Sequence, residues 1–122
     1  MANILVVDDE SIVRRTLRAV LERAGHTVAE AEDGNRCLAS VKANLPDLIL
    51  MDIIMPDREG VETISALRKS GVSVPIVAMS GGGQTGGLLF LETAAMLGAT
   101  RTMAKPVRNA ELTAMVAECL TP

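Results

Sequence analysis

At 122 residues, 48% hydrophobic and 22% charged, the chain has the size and balance of one packed domain, expected to span residues 1–122, and not of a disordered segment. A net charge of −3 and a single aromatic residue, Phe90, argue against a protein that tracks a phosphate backbone or stacks on bases, so no direct nucleic-acid partner is expected. No apolar run approaches the roughly 20 residues of a membrane span, and the N-terminus shows neither a basic leader nor a small-residue cleavage site, so the chain reads as cytoplasmic with no membrane partner.

The first apolar run, residues 4–7, reads as a strand and ends in three acids, Asp8, Asp9 and Glu10. Acids in that place start a helix as readily as they bind a ligand. Helical spacing follows in Val13, Leu17, Val20, Leu21 and Ala24, closed by Gly25. A weaker strand covers residues 27–31. The third strand, residues 47–51, ends at Asp52, and the fourth, residues 74–79, follows the helix stop at Gly71 and ends at Ser80. A helix is predicted over residues 87–97, stopped by Gly98. A short fifth strand, residues 100–103, precedes Lys105-Pro106. The last helix carries Leu112, Met115, Val116, Cys119 and Leu120 on one stripe, with Asn109 available as its cap.

The first, third and fourth runs are almost unbroken in apolar character, as strands covered on both faces require. Five strands alternating with five helices give an α/β fold, a doubly wound five-stranded parallel sheet in the flavodoxin-like order 2-1-3-4-5. Sites in such sheets form at the carboxyl ends of the strands. With the first and third strands as neighbours, Asp52 faces Asp8 and Asp9 across a small gap. Three crowded carboxylates repel, and a hard divalent ion resolves the conflict. Two cysteines, Cys37 and Cys119, and one histidine, His26, cannot furnish a four-ligand zinc site, whereas Mg2+ suits carboxylates, waters and a phosphate oxygen. Both cysteines fall on apolar helix stripes, where buried free thiols are common. Ser80 and Lys105 sit at adjacent strand ends, where a hydroxyl and an ammonium can contact the oxygens of an anion on Asp52; Lys105 also reads as a solvated surface charge.

Asp8-Asp9, the run Asp52-Ile53-Ile54-Met55-Pro56-Asp57-Arg58-Glu59-Gly60, Ser80-Gly81 and Lys105-Pro106 together resemble the response-regulator receiver domains of bacterial two-component signalling. The resemblance covers essentially the whole chain. It implies that Asp52 accepts phosphoryl from a histidine kinase or histidine phosphotransfer protein. It further implies that Asp9 binds the metal directly with Asp8 assisting, that Asp52 and the Ile54 backbone carbonyl complete the protein ligands, and that Ser80 and Lys105 each hold a phosphoryl oxygen. A cis Lys105-Pro106 bond is implied as well. Such a chain is a switch rather than an enzyme, and the absence of an obvious general base makes hydrolysis slow.

Two departures stand out. Receivers commonly carry Tyr or Phe where this chain has Thr102, so a rotating ring cannot report phosphorylation. Residues 81–87 are glycine-rich, which predicts a mobile loop ordered on activation; its glycines lack the Gly-Lys-Ser/Thr ending of a nucleotide site. An aspartyl-phosphate phosphatase would want an acid at Ile54 to protonate the leaving group. A receiver that no longer takes phosphate would have lost some of Asp8, Asp9, Asp52, Ser80 or Lys105, and all are present. In the helix over residues 87–97, Leu88, Leu91, Ala94, Ala95 and Gly98 form the packing side. Leu89, Phe90, Thr93, Met96 and Leu97 are left outward, a face expected to bind a downstream protein target or a second copy through Leu89, Phe90 and Met96.

Overall fold

Alternate residues of the apolar runs serve two different layers, and this fixes the architecture. The computed structural model describes residues 2–53, 59–80, 92, 94–104 and 107–120. Five strands, β1 (Asn3–Val7), β2 (Thr27–Ala31), β3 (Leu48–Asp52), β4 (Ile76–Ser80) and β5 (Arg101–Ala104), form one sheet in the order β2-β1-β3-β4-β5, every pair parallel. The helices are α1 (Ser11–Arg23), α2 (Gly34–Ala43), α3 (Glu59–Lys69), a segment labelled α4 whose residues 94–97 are helical, and α5 (Asn109–Leu120).

Ile4, Val6, Leu48, Leu50, Val77 and Met79 pack with Leu17 and Leu21 of α1 and Leu112 and Val116 of α5. Their neighbours along the strands, Leu5, Val7, Ile49, Met51, Ile76 and Ala78, pack with Cys37 and Val41 of α2, Ile64 and Leu67 of α3, and Ala94 of α4. β3 and β4 are buried at every position, as strands covered on both faces must be. The expected doubly wound sheet is therefore present.

Boundaries moved by one or two residues. Asp52 and Ser80 are the last residues of β3 and β4 rather than the first beyond them, because parallel pairing continues through both, Asp52 opposite Met79 and Ser80 opposite Ala104. Asn109 is the first helical residue, which leaves the position before α5 to Arg108. Ala95, expected on the packing side of α4, is exposed, whereas Ala94 is fully buried; Met96 is outward at 86% exposure and Leu97 less so. Gly25, Gly71 and Gly98 take φ of 97°, 92° and 122°, the left-handed conformation that ends a helix. Cys37 is buried and its thiol is pushed up to about 12 by desolvation, while Cys119 is only half-buried. Among the described residues no helix is long and apolar enough to cross a membrane.

Candidate functional site

At the carboxyl edge, β1 and β3 are in register up to Val7 opposite Met51, so the next residues out, Asp8 and Asp52, are neighbours. The pleat sends both side chains to the same face, since Ile4, Val6, Leu48 and Leu50 share it. Asp8 is fully buried and Asp52 is 2% exposed. Two carboxylates in such a place need partners, and among the described residues no buried side-chain nitrogen or oxygen lacks a hydrogen bond.

The Asp8 backbone N–H donates to the Ala31 carbonyl at 3.2 Å, which ties it to β2. Its Oδ1 accepts from the Glu10 N–H at 2.9 Å and so turns the chain into α1. Its carbonyl accepts from Arg14 Nη1 at 2.6 Å. Asp9 and Glu10 are exposed, and one carboxylate oxygen from each of Asp8, Asp9 and Glu10 lies within 4.8 Å of the others. Sequence reading named Asp8 and Asp9 for the metal; the structure adds Glu10 to that cluster.

Across the gap, the Ile53 N–H donates to the Met79 carbonyl at 3.0 Å, extending the β3–β4 ladder one residue past Asp52. Ser80, fully buried, ends β4 beside it. On its other side the Asp52–Ile53 peptide meets Gly60, the second residue of α3 and itself buried. A Cβ on Gly60 would lie 2.5 Å from the Ile53 Cα and closer still to the Asp52 carbonyl oxygen. Ile54, Lys105, Pro106, residues 81–87, Leu89, Phe90 and Thr93 lie outside the described residues, and with them the expected carbonyl ligand, the lysine and its cis bond, the loop and most of the outward face.

Sequence reading missed Arg14 and the structural part of Gly60. Arg14 acts on a backbone carbonyl, which has no signature in sequence. Gly60 left one signal, a glycine in the first turn of a helix where propensity disfavours it.

The sequence matches the family model described as response regulator receiver domain over residues 4–117. The chain belongs to the response-regulator receiver family. It is similar to the KDP operon transcriptional regulatory protein KdpE of Escherichia coli, at 42% identity over 80 residues, covering 66% of this chain and 35% of that protein. It is similar also to the alkaline phosphatase synthesis transcriptional regulatory protein PhoP of Bacillus subtilis, at 36% identity over 114 residues, covering 93% of this chain and 46% of that protein. The chain thus spans less than half of either relative. Among solved structures, Vibrio cholerae chemotaxis protein CheY4 superposes with a TM-score of 0.87 at 29% identity over 98% of this chain and 99% of its own. The receiver domain of NtrX from Brucella abortus gives 0.88 at 28%, covering 96% and 97%. Receivers of this family are phosphorylation-controlled switches of two-component signalling, and this domain is one.

Receiver domains bind Mg2+ in an acidic pocket, and the donors present fit that ion. All three clustered donors are carboxylates, and a small hard cation takes oxygen ligands and keeps several waters. One of the three acids is buried and two are exposed.

Proposed function

We propose that Asp52 is the phosphoryl acceptor, that Asp8, Asp9, Asp52 and the Ile54 carbonyl hold Mg2+, and that Ser80 and Lys105 hold the transferred group. The observation that carries this reading is a buried aspartate at the end of β3 beside the Asp8–Asp9–Glu10 cluster at the sheet's carboxyl edge.

An Asp52 carboxylate oxygen attacks the phosphorus of a phosphohistidine on a histidine kinase or histidine phosphotransfer protein. A P–O bond forms as the P–N bond breaks, and the electron pair of the broken bond stays on the imidazole nitrogen, which takes a proton from solvent. The product is an aspartyl phosphate. Bound magnesium neutralises phosphoryl charge. Ser80 donates its hydroxyl proton to one phosphoryl oxygen and Lys105 its ammonium to another, which stabilises the in-line arrangement and then the product. No side chain among these acts as a base toward water, so the domain serves as a timed switch and not as a phosphatase.

Output passes to a downstream protein or a second copy across the face that includes Met96. Supporting this, Met96 is 86% exposed, and a groove of about 450 Å³ between β5 and α5 is lined by Thr102, Met103, Ala104, Glu111, Ala114, Met115 and Glu118. Thr102 is too small to fill that groove. The double variant Phe90→Ser with Met96→Gln is expected to fold and accept phosphoryl yet lose partner capture and self-association; unchanged association in both assays removes this face from the reading.

Intact-mass measurement after incubation with acetyl phosphate and magnesium tests the acceptor. Wild type gains one phosphoryl group and Asp52→Asn gains none. Stoichiometric labelling of Asp52→Asn refutes the assignment.

A further inference from the structure

We infer that Gly60 is a positioning residue for the acceptor: by bringing α3's backbone directly against the Asp52–Ile53 peptide, it fixes where the Asp52 carboxylate stands. The inference rests on Asp52 being the acceptor.

The peptide between Asp52 and Ile53 is approached by backbone from both β4 and α3. On the β4 side the Ile53 N–H donates to the Met79 carbonyl at 3.0 Å. On the α3 side Gly60 presents its bare Cα, and the three atoms nearest to a Cβ there would be the Asp52 carbonyl oxygen, the Ile53 Cα at 2.5 Å and the Asp52 carbonyl carbon at 3.1 Å. None of these belongs to a side chain that could swing aside. Carbon atoms in ordinary contact stand roughly 3.5–4.0 Å apart, so any side chain at position 60 forces the two backbones apart by about 1 Å.

Retreat has only two directions. Moving the Asp52–Ile53 peptide strains the hydrogen bond from the Ile53 N–H to the Met79 carbonyl and shifts the nucleophile. Moving the start of α3 instead displaces the segment that leads from Asp52 into that helix, which carries the expected Ile54 carbonyl ligand. Either way the reacting geometry changes, because in-line transfer depends on placement to within a fraction of an ångström and a misplacement of about 1 Å costs on the order of 100-fold. The contact, and not backbone conformation, is what excludes other residues: Gly60 does not take a positive φ, unlike Gly71 at +92°, where an added Cβ meets nothing within 4 Å.

That contrast supplies the experiment. Labelling rates by acetyl phosphate at saturating magnesium, thermal stability and magnesium affinity are measured for wild type, Gly60→Ala, Gly71→Ala and Asp52→Asn. Gly71→Ala is expected to lose stability through its strained φ while its folded fraction labels at the wild-type rate. Gly60→Ala is expected to label 10- to 100-fold more slowly per folded molecule, since 1 Å of displacement falls on the nucleophile. Where Gly60→Ala is poorly populated, the rates are compared in trimethylamine N-oxide, which favours the folded state. A folded Gly60→Ala that labels within about twofold of wild type overturns the inference. So does a chain that stays unfolded in the osmolyte, which would give Gly60 to folding alone. Labelling of Asp52→Asn, by contrast, overturns the acceptor reading whatever Gly60 does.

Discussion

The Arg14 guanidinium reaches the Asp8 carbonyl at 2.6 Å and a Glu30 carboxylate oxygen at 3.0 Å, so α1 and the carboxyl ends of β1 and β2 meet at one side chain. Arg18 donates to the other Glu30 oxygen at 2.9 Å and to Glu22 at 3.2 Å. The hydrogen bond from Arg18, aided by that from Arg14, holds the Glu30 carboxyl below the ordinary 4.5 although partial burial opposes it. A carboxylate depressed in the folded state binds fewer protons there than when unfolded. Its stabilisation is therefore complete above about pH 4.5 and is lost as pH falls through the lower folded value. Glu30→Gln is expected to lower stability at neutral pH by about 0.2–1 kcal/mol, the range for partly exposed pairs, and the deficit is expected to shrink as pH falls through the lowered folded value. Urea midpoints followed from neutral to acid pH check this; a deficit that does not change with pH would assign the loss to packing. None of this was legible beforehand, since Arg14 and Arg18 lie on α1 and Glu30 on β2, and the β1–β2 pairing brings the two elements together.

Between elements, the side chain that joins most among the described residues is Arg68, near the end of α3. Its Nε donates to the Gly98 carbonyl at 2.9 Å and its Nη1 to the Val72 and Val74 carbonyls at 2.9 and 2.8 Å. The Gly98 Cα rests on its stem, where a Cβ would meet the Arg68 Cγ at 2.6 Å. Thr100 continues the connection, its N–H donating to the Ile76 carbonyl at 2.7 Å and its Oγ1 accepting from the Ile76 N–H at 3.1 Å. One guanidinium thus ties α3, the turn into β4 and the turn from α4 into β5. Arg68→Met keeps the stem but strands three carbonyls, and hydrogen bonds to a charged donor contribute roughly 1.5–3 kcal/mol each where they cannot be replaced by water. A loss of about 2–4 kcal/mol is expected, with faster amide exchange at Thr100 and Arg101 and unchanged exchange in β1. Uniformly faster exchange across the sheet would contradict a local joint. The helix stops at Gly71 and Gly98 were readable because positive φ selects glycine by itself. Arg68 was not, because the carbonyls it serves could belong to any residue. Strand ends slipped for a related reason: Asp52 and Ser80 look like loop residues, yet their backbones still pair.

For the molecule as a whole, apolar layers on both faces make the sheet a rigid base, and the acids at its carboxyl edge work against that stability. Unbroken apolar runs alternating with helical stretches read as a doubly wound sheet, the usual flavodoxin-like order expected for it is the one present, and that order puts Asp8 next to Asp52. What the order could not supply was how tightly α3 lies on the acceptor peptide or that Glu10 joins Asp8 and Asp9 within 4.8 Å. Like charges this close oppose folding unless a cation binds between them. A cation that binds only the folded state adds stability as RT ln(1 + [Mg2+]/Kd), about 1.4 kcal/mol at nine times Kd, so the melting temperature of wild type is expected to rise with the logarithm of magnesium once Kd is passed. Few protein ligands and several retained waters place that Kd in a weak range. Asp9→Ala removes an exposed acid from the cluster, so it is expected to melt at or above the metal-free wild type and to show no response to magnesium. Glu10→Gln separates the two effects of charge: relief of repulsion predicts a higher metal-free melting temperature, and a response to magnesium as large as that of wild type would show that Glu10 crowds the site without holding the ion. A magnesium response retained in Asp9→Ala would place the ion elsewhere on the chain.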